Sequence, residues 1–430
     1  MAKPGTPRIA ILGAGPIGLE AALYARALDY PVTVFERGRI GEHLQRWGHA
    51  KMFTPFGMNT TPLGRSAIQQ DEADHAFPPE NECLTGREHF AAYLEPLAKS
   101  TKLRECIRGD CQILQMGRRG MLKEDYVGDI RRSQQPLRVL LRENKQRERV
   151  EEFDLVLDCT GTYGQHRWMG DGGSAAMGEF PAGPQIAYGL EDVLNERRAA
   201  YAGKYVLVVG SGYSAATTVC SLARLAEEYP ATWVIWLVRG NSTQPIKRIA
   251  EDPLRERDRL AVRANTLATR TDANVEYHQQ SVVETIESAG PDKGFRVTAR
   301  CGGKSRTWDV DRIIANVGYT PDSTLHRELH VQECYASLAP RNLALALLKH
   351  SPSDCLSVPA LGAEALRNPE PNFFILGAKS YGRNSNFLMR AGFEQVREVF
   401  TLITGKPELN LYKPVRGREN KSGGKAPHSK

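Results

Sequence analysis

Residues 7–20 read Pro7-Arg8-Ile9-Ala10-Ile11-Leu12-Gly13-Ala14-Gly15-Pro16-Ile17-Gly18-Leu19-Glu20. An apolar run suited to a buried strand passes through a glycine-rich turn into the helical pattern Leu19, Ala22, Leu23, Ala25 and Ala27. In that setting the G-x-G-x-x-G spacing has a physical meaning. Gly13 allows the tight strand-to-helix turn, Gly15 lets backbone approach a pyrophosphate, and Gly18 lets the helix lie on the strand. Pro16, in the same turn, is a candidate to adjoin the cofactor. The N–H groups at the helix start then face the phosphates, and the helix dipole favours their charge. Pro31-Val32-Thr33-Val34-Phe35-Glu36 follows as a second strand. Glu36 stands ~20 residues beyond the glycines, where a carboxylate takes ribose hydroxyls, and Arg37 is next to it.

The design recurs about 200 residues later. Lys204-Tyr205-Val206-Leu207-Val208-Val209 leads into Gly210-Ser211-Gly212-Tyr213-Ser214-Ala215, with small residues again at the helix start. The next strand, Thr232 to Val238, ends in Arg239 instead of an acid. A guanidinium can pair with a 2′-phosphate that a carboxylate would repel, so NADPH is preferred here and NADH is the alternative donor. Lys247 and Arg248 are candidates to add to that charge. Two such turns in one chain imply two dinucleotides and redox chemistry between them.

Three further segments extend the pattern: Phe153 to Thr162 with Thr160-Gly161, Asp311 to Asp322 with Gly318, and Asn372 to Gly377. With them, the chain resembles the two-dinucleotide-binding-domain flavoproteins, the superfamily of flavin-containing monooxygenases and pyridine-nucleotide-dependent flavoprotein reductases. The resemblance spans most of residues 7–405. It implies an α/β fold, in which a Rossmann-like FAD-binding domain (1–165 and 310–410) carries an inserted, smaller Rossmann-like NAD(P)H-binding domain (185–310). It also implies that Thr160, Gly161 and Gly377 adjoin FAD, with Gly318 at the exit from the NAD(P)H domain. The helix around Leu388 to Val396 would point its positive end at the flavin. There are two departures. Many relatives carry Asp after the last glycine, where this chain has Ala378-Lys379, and N-hydroxylating and Baeyer–Villiger relatives carry Phe-x-Gly-x-x-x-His, where Phe180 to Ala187 ends without the histidine.

The segment Gly41–Thr61 has no clear period and is dense in aromatics, His and amides, so substrate-facing candidates are sought there. Trp47 and Phe53 are candidates to stack on the flavin, Asn59 to donate a hydrogen bond toward bound oxygen, and His49 to supply a proton. The Gly-rich stretch 170–184 is expected as a hinge or linker. Val275–His278 and Phe295–Thr298 alternate like antiparallel strands, and Leu343–Leu348 reads as a helix.

Composition fits a soluble enzyme with two or three domains in 430 residues. No apolar run reaches the ~18 residues of a membrane span, and no signal-peptide pattern precedes the first strand, so a cytoplasmic setting is expected. Much of the +7 charge lies in residues 411–430, where six bases face Glu419 alone. This Gly-, Pro- and Ser-rich tail is expected to be disordered and solvating, and no nucleic-acid partner is expected. The eight cysteines form no Cys-x-x-Cys pair and no zinc spacing, and Cys106 and Cys111 lie far from the first turn in sequence. These features favour hydride transfer from NADPH to FAD and then to dioxygen, with oxygenation of a small substrate. The alternatives are an NAD(P)H-dependent flavoprotein reductase without an active-site disulfide and a non-catalytic FAD/NAD(P)-binding sensor.

Overall fold

The computed structural model describes residues 5–350, 355–357 and 361–413. All four residues of β1 (Ile9–Leu12) are buried because both faces of the strand are covered. Ile9 and Ile11 join the core with α1 (Pro16–Ala27), while Ala10 and Leu12 join a second core against an antiparallel layer. β1 lies between β2 (Val32–Phe35) and β7 (Leu155–Asp158) in a five-stranded parallel sheet, flanked outside by β3 (Ile107–Arg108) and β15 (Phe373–Ile375). The antiparallel layer comprises β4 (Cys111–Arg118), β5 (Leu137–Glu143) and β6 (Arg147–Phe153). Across the β5–β6 hairpin Arg142 pairs with Glu148 and Arg149 with Glu143.

Between β7 and β15 the chain makes a second parallel sheet. Its four strands are β8 (Tyr205–Val209), β9 (Trp233–Leu237), β10 (Val275–His278) and β14 (Arg312–Ala315), in the order β10-β9-β8-β14. Val206 and Val208 face one core and Leu207 and Val209 the other, so β8 too is covered on both sides. β11 (Ser281–Ser288), β12 (Phe295–Cys301) and β13 (Lys304–Val310) form an antiparallel layer beside it. β10 corrects the sequence expectation, for it pairs parallel with β9. The crossover helix between these two strands returns the chain in the same direction, as a βαβ unit requires. β14 also belongs to this second sheet, pairing with β8 past the expected boundary at 310.

The longer helices after α1 are α2 (Pro62–Asp71), α3 (Tyr213–Glu228), α4 (Arg255–Thr269), α5 (Arg341–His350) and α6 (Met389–Thr404). α5 covers the expected helix 343–348, and its Leu343 and Leu347 are buried in the first core with α6. The expected hinge at 170–184 is pinned. Glu179, fully buried, accepts N–H bonds from Met169 and Ala176 and the Tyr188 hydroxyl at 2.9 Å. A second buried knot joins Arg118 and Arg132 to the two oxygens of Glu370, at 2.6 and 2.8 Å. The expected tail at 411–430 is also corrected at its start. Tyr412 packs edge-on against Tyr24 of α1 and bonds Phe393 O, while residues 414–430 lie outside the described residues. Among the described residues, no helix is long and apolar enough to cross a membrane.

Candidate functional site: two glycine cradles joined by one loop

The two glycine turns are built alike, and the glycines divide by task. Gly13 has φ +94°, and a Cβ there would lie 2.9 Å from Cys159 O. Gly210 has φ +140°, and a Cβ there would lie 2.3 Å from Asn316 O. Each first glycine thus lets its turn close against the strand end of the same sheet. Gly18 is held to glycine by Gly13 O, 1.9 Å from a Cβ position, and Ala215 fills the equivalent place fully buried. The second glycines differ from these. Gly15 and Gly212 have ordinary negative φ, and a Cβ on either would meet nothing within 4 Å. Both cap their helices without a side-chain hydrogen bond, leaving N–H groups directed into open space. Two cradles for anions result, each with a helix dipole behind it.

At the first cradle, Glu36 accepts the Ala14 N–H at 2.8 Å and the Gly38 N–H at 2.9 Å, which fixes its carboxylate at the turn with lone pairs to spare. Arg37 is exposed and lies over Gly164, its Nη2 3.3 Å from a Cβ position there. Pro16 takes the first helical position. Opposite, Gly161 has φ +69° and open space around it, while Thr160 bonds Asp158 through both N–H and hydroxyl. Gly377 has φ +71° and packs on Ile17, 3.2 Å from a Cβ position, so its service is to bring α1 and the last strand together. α6 starts nearby at Met389 with neither an acid in its first turn nor a side-chain cap.

At the second cradle, Ser214 is exposed in the first turn of α3, and Arg239 is exposed just beyond β9. Among the described residues Arg239 has no carboxylate partner. Arg248, expected to assist, is committed to Asp258 through Nε at 2.9 Å and Nη2 at 3.0 Å. Gly318 (φ +86°) holds the returning strand beside Arg167, whose N–H bonds Gly318 O at 2.9 Å.

The loop 41–61 joins the two cradles. Gly41 N–H bonds Ala14 O at the first turn, and the Phe53 ring meets Tyr213 of the second edge-on, centroids 5.3 Å apart. Trp47 is turned inward, its six-membered ring 2.9 Å from a Cβ position on Gly86 and its Nε1 buried without a partner. Asn59 is 1 % exposed. It spends both amide hydrogens on Thr54 O and Pro55 O and accepts the Thr54 hydroxyl at 2.8 Å. Its donors hold the loop shape, which leaves none for a ligand. His49 is half-buried, and burial pulls its pKa down against Asp192, Glu191 and Glu196, which favours the neutral imidazole over a proton donor. The position that lacks the family histidine is also filled from elsewhere. His166 stacks on Tyr188, beside Ala187, with centroids 3.5 Å apart and 12° between planes.

Cys106 and Cys159 are reduced thiols. Burial pushes Cys106 up to about 11, and Cys159, against the first turn, far above its ordinary range. Neither supplies the thiolate that disulfide exchange needs. One charged group had only a faint sequence signal, the departure at Lys379. Lys379 is buried and bonds Asp158 at 2.6 Å, under Thr160.

The profile of the family Pyridine nucleotide-disulphide oxidoreductase matches residues 10–119. No curated protein matches the chain in sequence. Solved structures match it in fold across nearly its whole length. A bacillithiol disulfide reductase from Bacillus cereus has TM-score 0.67 at 17% identity, over 93% of this chain and 99% of its own. The FAD-bound cadaverine monooxygenase of desferrioxamine biosynthesis from Erwinia amylovora has TM-score 0.64 at 13%, over 99% and 100%. A thioredoxin reductase from Lactococcus lactis has TM-score 0.56 at 15%, over 93% and 100%.

Proposed function

From the two-dinucleotide-binding-domain flavoprotein fold that this chain carries, we propose a FAD-dependent NADPH oxidoreductase that most favours dioxygen as its final acceptor. The observation that carries this proposal is the pair of open cradles at Gly15 and Gly212, joined by the Phe53–Tyr213 contact. FAD fits the first. Gly15 and the α1 N–H groups suit its pyrophosphate, Glu36 its ribose, and Thr160-Gly161 with the α6 N-terminus the ribityl and flavin end. NADPH would fit the second, where Gly212 and Ser214 would hold its pyrophosphate and Arg239 its 2′-phosphate.

Bound FAD would supply hydride acceptance and electron transfer to a second acceptor, while the protein supplies orientation and electrostatics. Phe53 and Tyr213 meet edge-on between the cradles. The uncapped start of α6 favours negative charge at the flavin end. Oxygenation is preferred over disulfide reduction because the sequence has no Cys-x-x-Cys pair and the Cys159 thiol beside the first turn is buried. A small-molecule reductase without an active-site disulfide remains the second proposal, favoured by the family profile over residues 10–119. A cytoplasmic setting, where NADPH is regenerated, belongs to the same proposal.

The test measures NADPH oxidation together with oxygen uptake by the purified yellow protein, while small amines and sulfides are screened. Uptake matched by oxygenated product supports the monooxygenase. NADPH-dependent reduction of a low-molecular-weight acceptor without oxygen incorporation overturns it in favour of the reductase. A flavin that NADPH does not bleach overturns both.

A further inference from the structure

Beneath the Thr160–Gly161 turn lies a buried ionic group. Lys379 donates to Asp158 Oδ2 at 2.6 Å and to Thr160 Oγ1 at 3.2 Å. Thr160 gives Asp158 Oδ1 its hydroxyl at 2.7 Å and its N–H at 3.1 Å. His326, 3 % exposed, continues the line outward. Its Nε2 is 3.1 Å from Glu333 Oε1, and its Nδ1, which has no hydrogen-bond partner, faces Asp158 Oδ2 at 3.9 Å. Ser323 donates to both oxygens of Glu333. His326 and Glu333 line a cavity of about 450 Å³, and the Glu333 side chain is 22% exposed. Titratable groups thus run from a cavity outside both cradles to the underside of the first.

Charge balance gives this line a function. With His326 protonated, two cations and two carboxylates cancel; without that proton the group carries one net negative charge. Burial disfavours the imidazolium and Lys379 opposes it, yet Asp158 and Glu333 raise the His326 pKa above its ordinary value. Against burial, Lys379 and His326 hold Asp158 well below the usual carboxylate range, and His326 and Ser323 lower Glu333. The Phe373 ring lies 5.6 Å away, and Lys123, Asp322, Arg327 and Arg383 line the same cavity as His326 and Glu333.

We propose that Glu333 and His326 form a proton port for the first cradle, loading His326 when negative charge arrives there. The proposal rests on FAD occupying that cradle. A hydride brings two electrons and one proton, so its arrival adds one negative charge to the site. The balancing proton comes from water in the cavity, passes by way of Glu333 and rests on the His326 imidazole. It returns by the same route when the electrons leave. His326 and Glu333 are positioning residues in this scheme, since they act through Asp158 and Thr160.

The test is the flavin midpoint potential of the holoprotein as a function of pH, measured by spectroelectrochemistry. Each proton coupled to a two-electron couple adds about 30 mV per pH unit. Wild type should show that extra slope over a window above the His326 pKa, and His326→Gln should lose it with flavin content unchanged. Glu333→Gln, at the cavity side, removes a partner of the imidazolium and should move the window to lower pH. Identical pH dependence in wild type and both variants overturns the port while leaving the flavoprotein assignment intact. A wild-type protein that holds no flavin instead overturns that assignment. If His326→Gln loses flavin, the unmoved or moved window of Glu333→Gln decides.

Discussion

Glu20 of α1 is fully buried, and its two oxygens accept the Thr61 hydroxyl at 3.0 and 3.1 Å. Burial raises its pKa from 4.5 to about 7, outweighing the hydrogen bonds from Thr61 and Tyr412 that lower it. Between those two values the folded protein keeps a proton that the unfolded chain has released. Unfolding there releases that proton, so this group's stabilisation is complete below the lower value and is lost as pH rises to the upper one. At 1.36 kcal/mol per unit, the loss amounts to about 3 kcal/mol. Glu20→Gln keeps the shape and carries no such dependence. The difference in stability, variant minus wild type, should therefore rise by about 3 kcal/mol across the window, while the shared carboxylates cancel. Urea unfolding followed by tryptophan fluorescence, from one pH unit below the window to one above, gives that difference if the two proteins share one m-value. A difference that stays constant with pH would show that Glu20 titrates in the folded protein as it does in the unfolded chain, and the burial argument would fail.

The division of labour among the glycines gives a second prediction. Gly15→Ala should fold normally and weaken FAD retention at least ~tenfold, about 1.4 kcal/mol, whereas Gly13→Ala, strained by positive φ and by Cys159 O, should lose folding yield as well; thermal melts with flavin content separate the two. Gly212→Ala should raise the Michaelis constant for NADPH while the bound flavin is unchanged, and equal loss of both nucleotides would contradict two independent cradles. Arg239→Glu removes a charge-assisted contact of about 1.5–3 kcal/mol, so the NADPH Michaelis constant should rise ~10–100-fold with NADH little affected; an unchanged cofactor ratio refutes the 2′-phosphate assignment. Glu370→Ala leaves the Arg118 and Arg132 guanidinium groups buried and unpaired, with an expected cost of about 3–5 kcal/mol in unfolding free energy; a loss under ~1 kcal/mol would mean that the knot relaxes into solvent.

The sequence by itself determined the two βαβ units. Strands such as Ile9–Leu12 and Tyr205–Val209 run into glycines at fixed spacing, and hydrophobic period and turn chemistry are local properties. The same locality made Glu36 and Arg239 legible as strand-end charges. Tertiary structure decided what depended on partners distant in sequence. Val275–His278 became a parallel strand because β9 lies beside it, whatever its own alternation suggests. Asn59, a plausible donor in sequence, has its hydrogens taken by carbonyls of its own loop, and Trp47 turns toward Gly86. Lys379 stood out only as a departure, and no local pattern links it to Asp158, 221 residues earlier, or to His326. Burial shifts such groups and couples them, and burial is a property of the assembled layers, which no short stretch of sequence records.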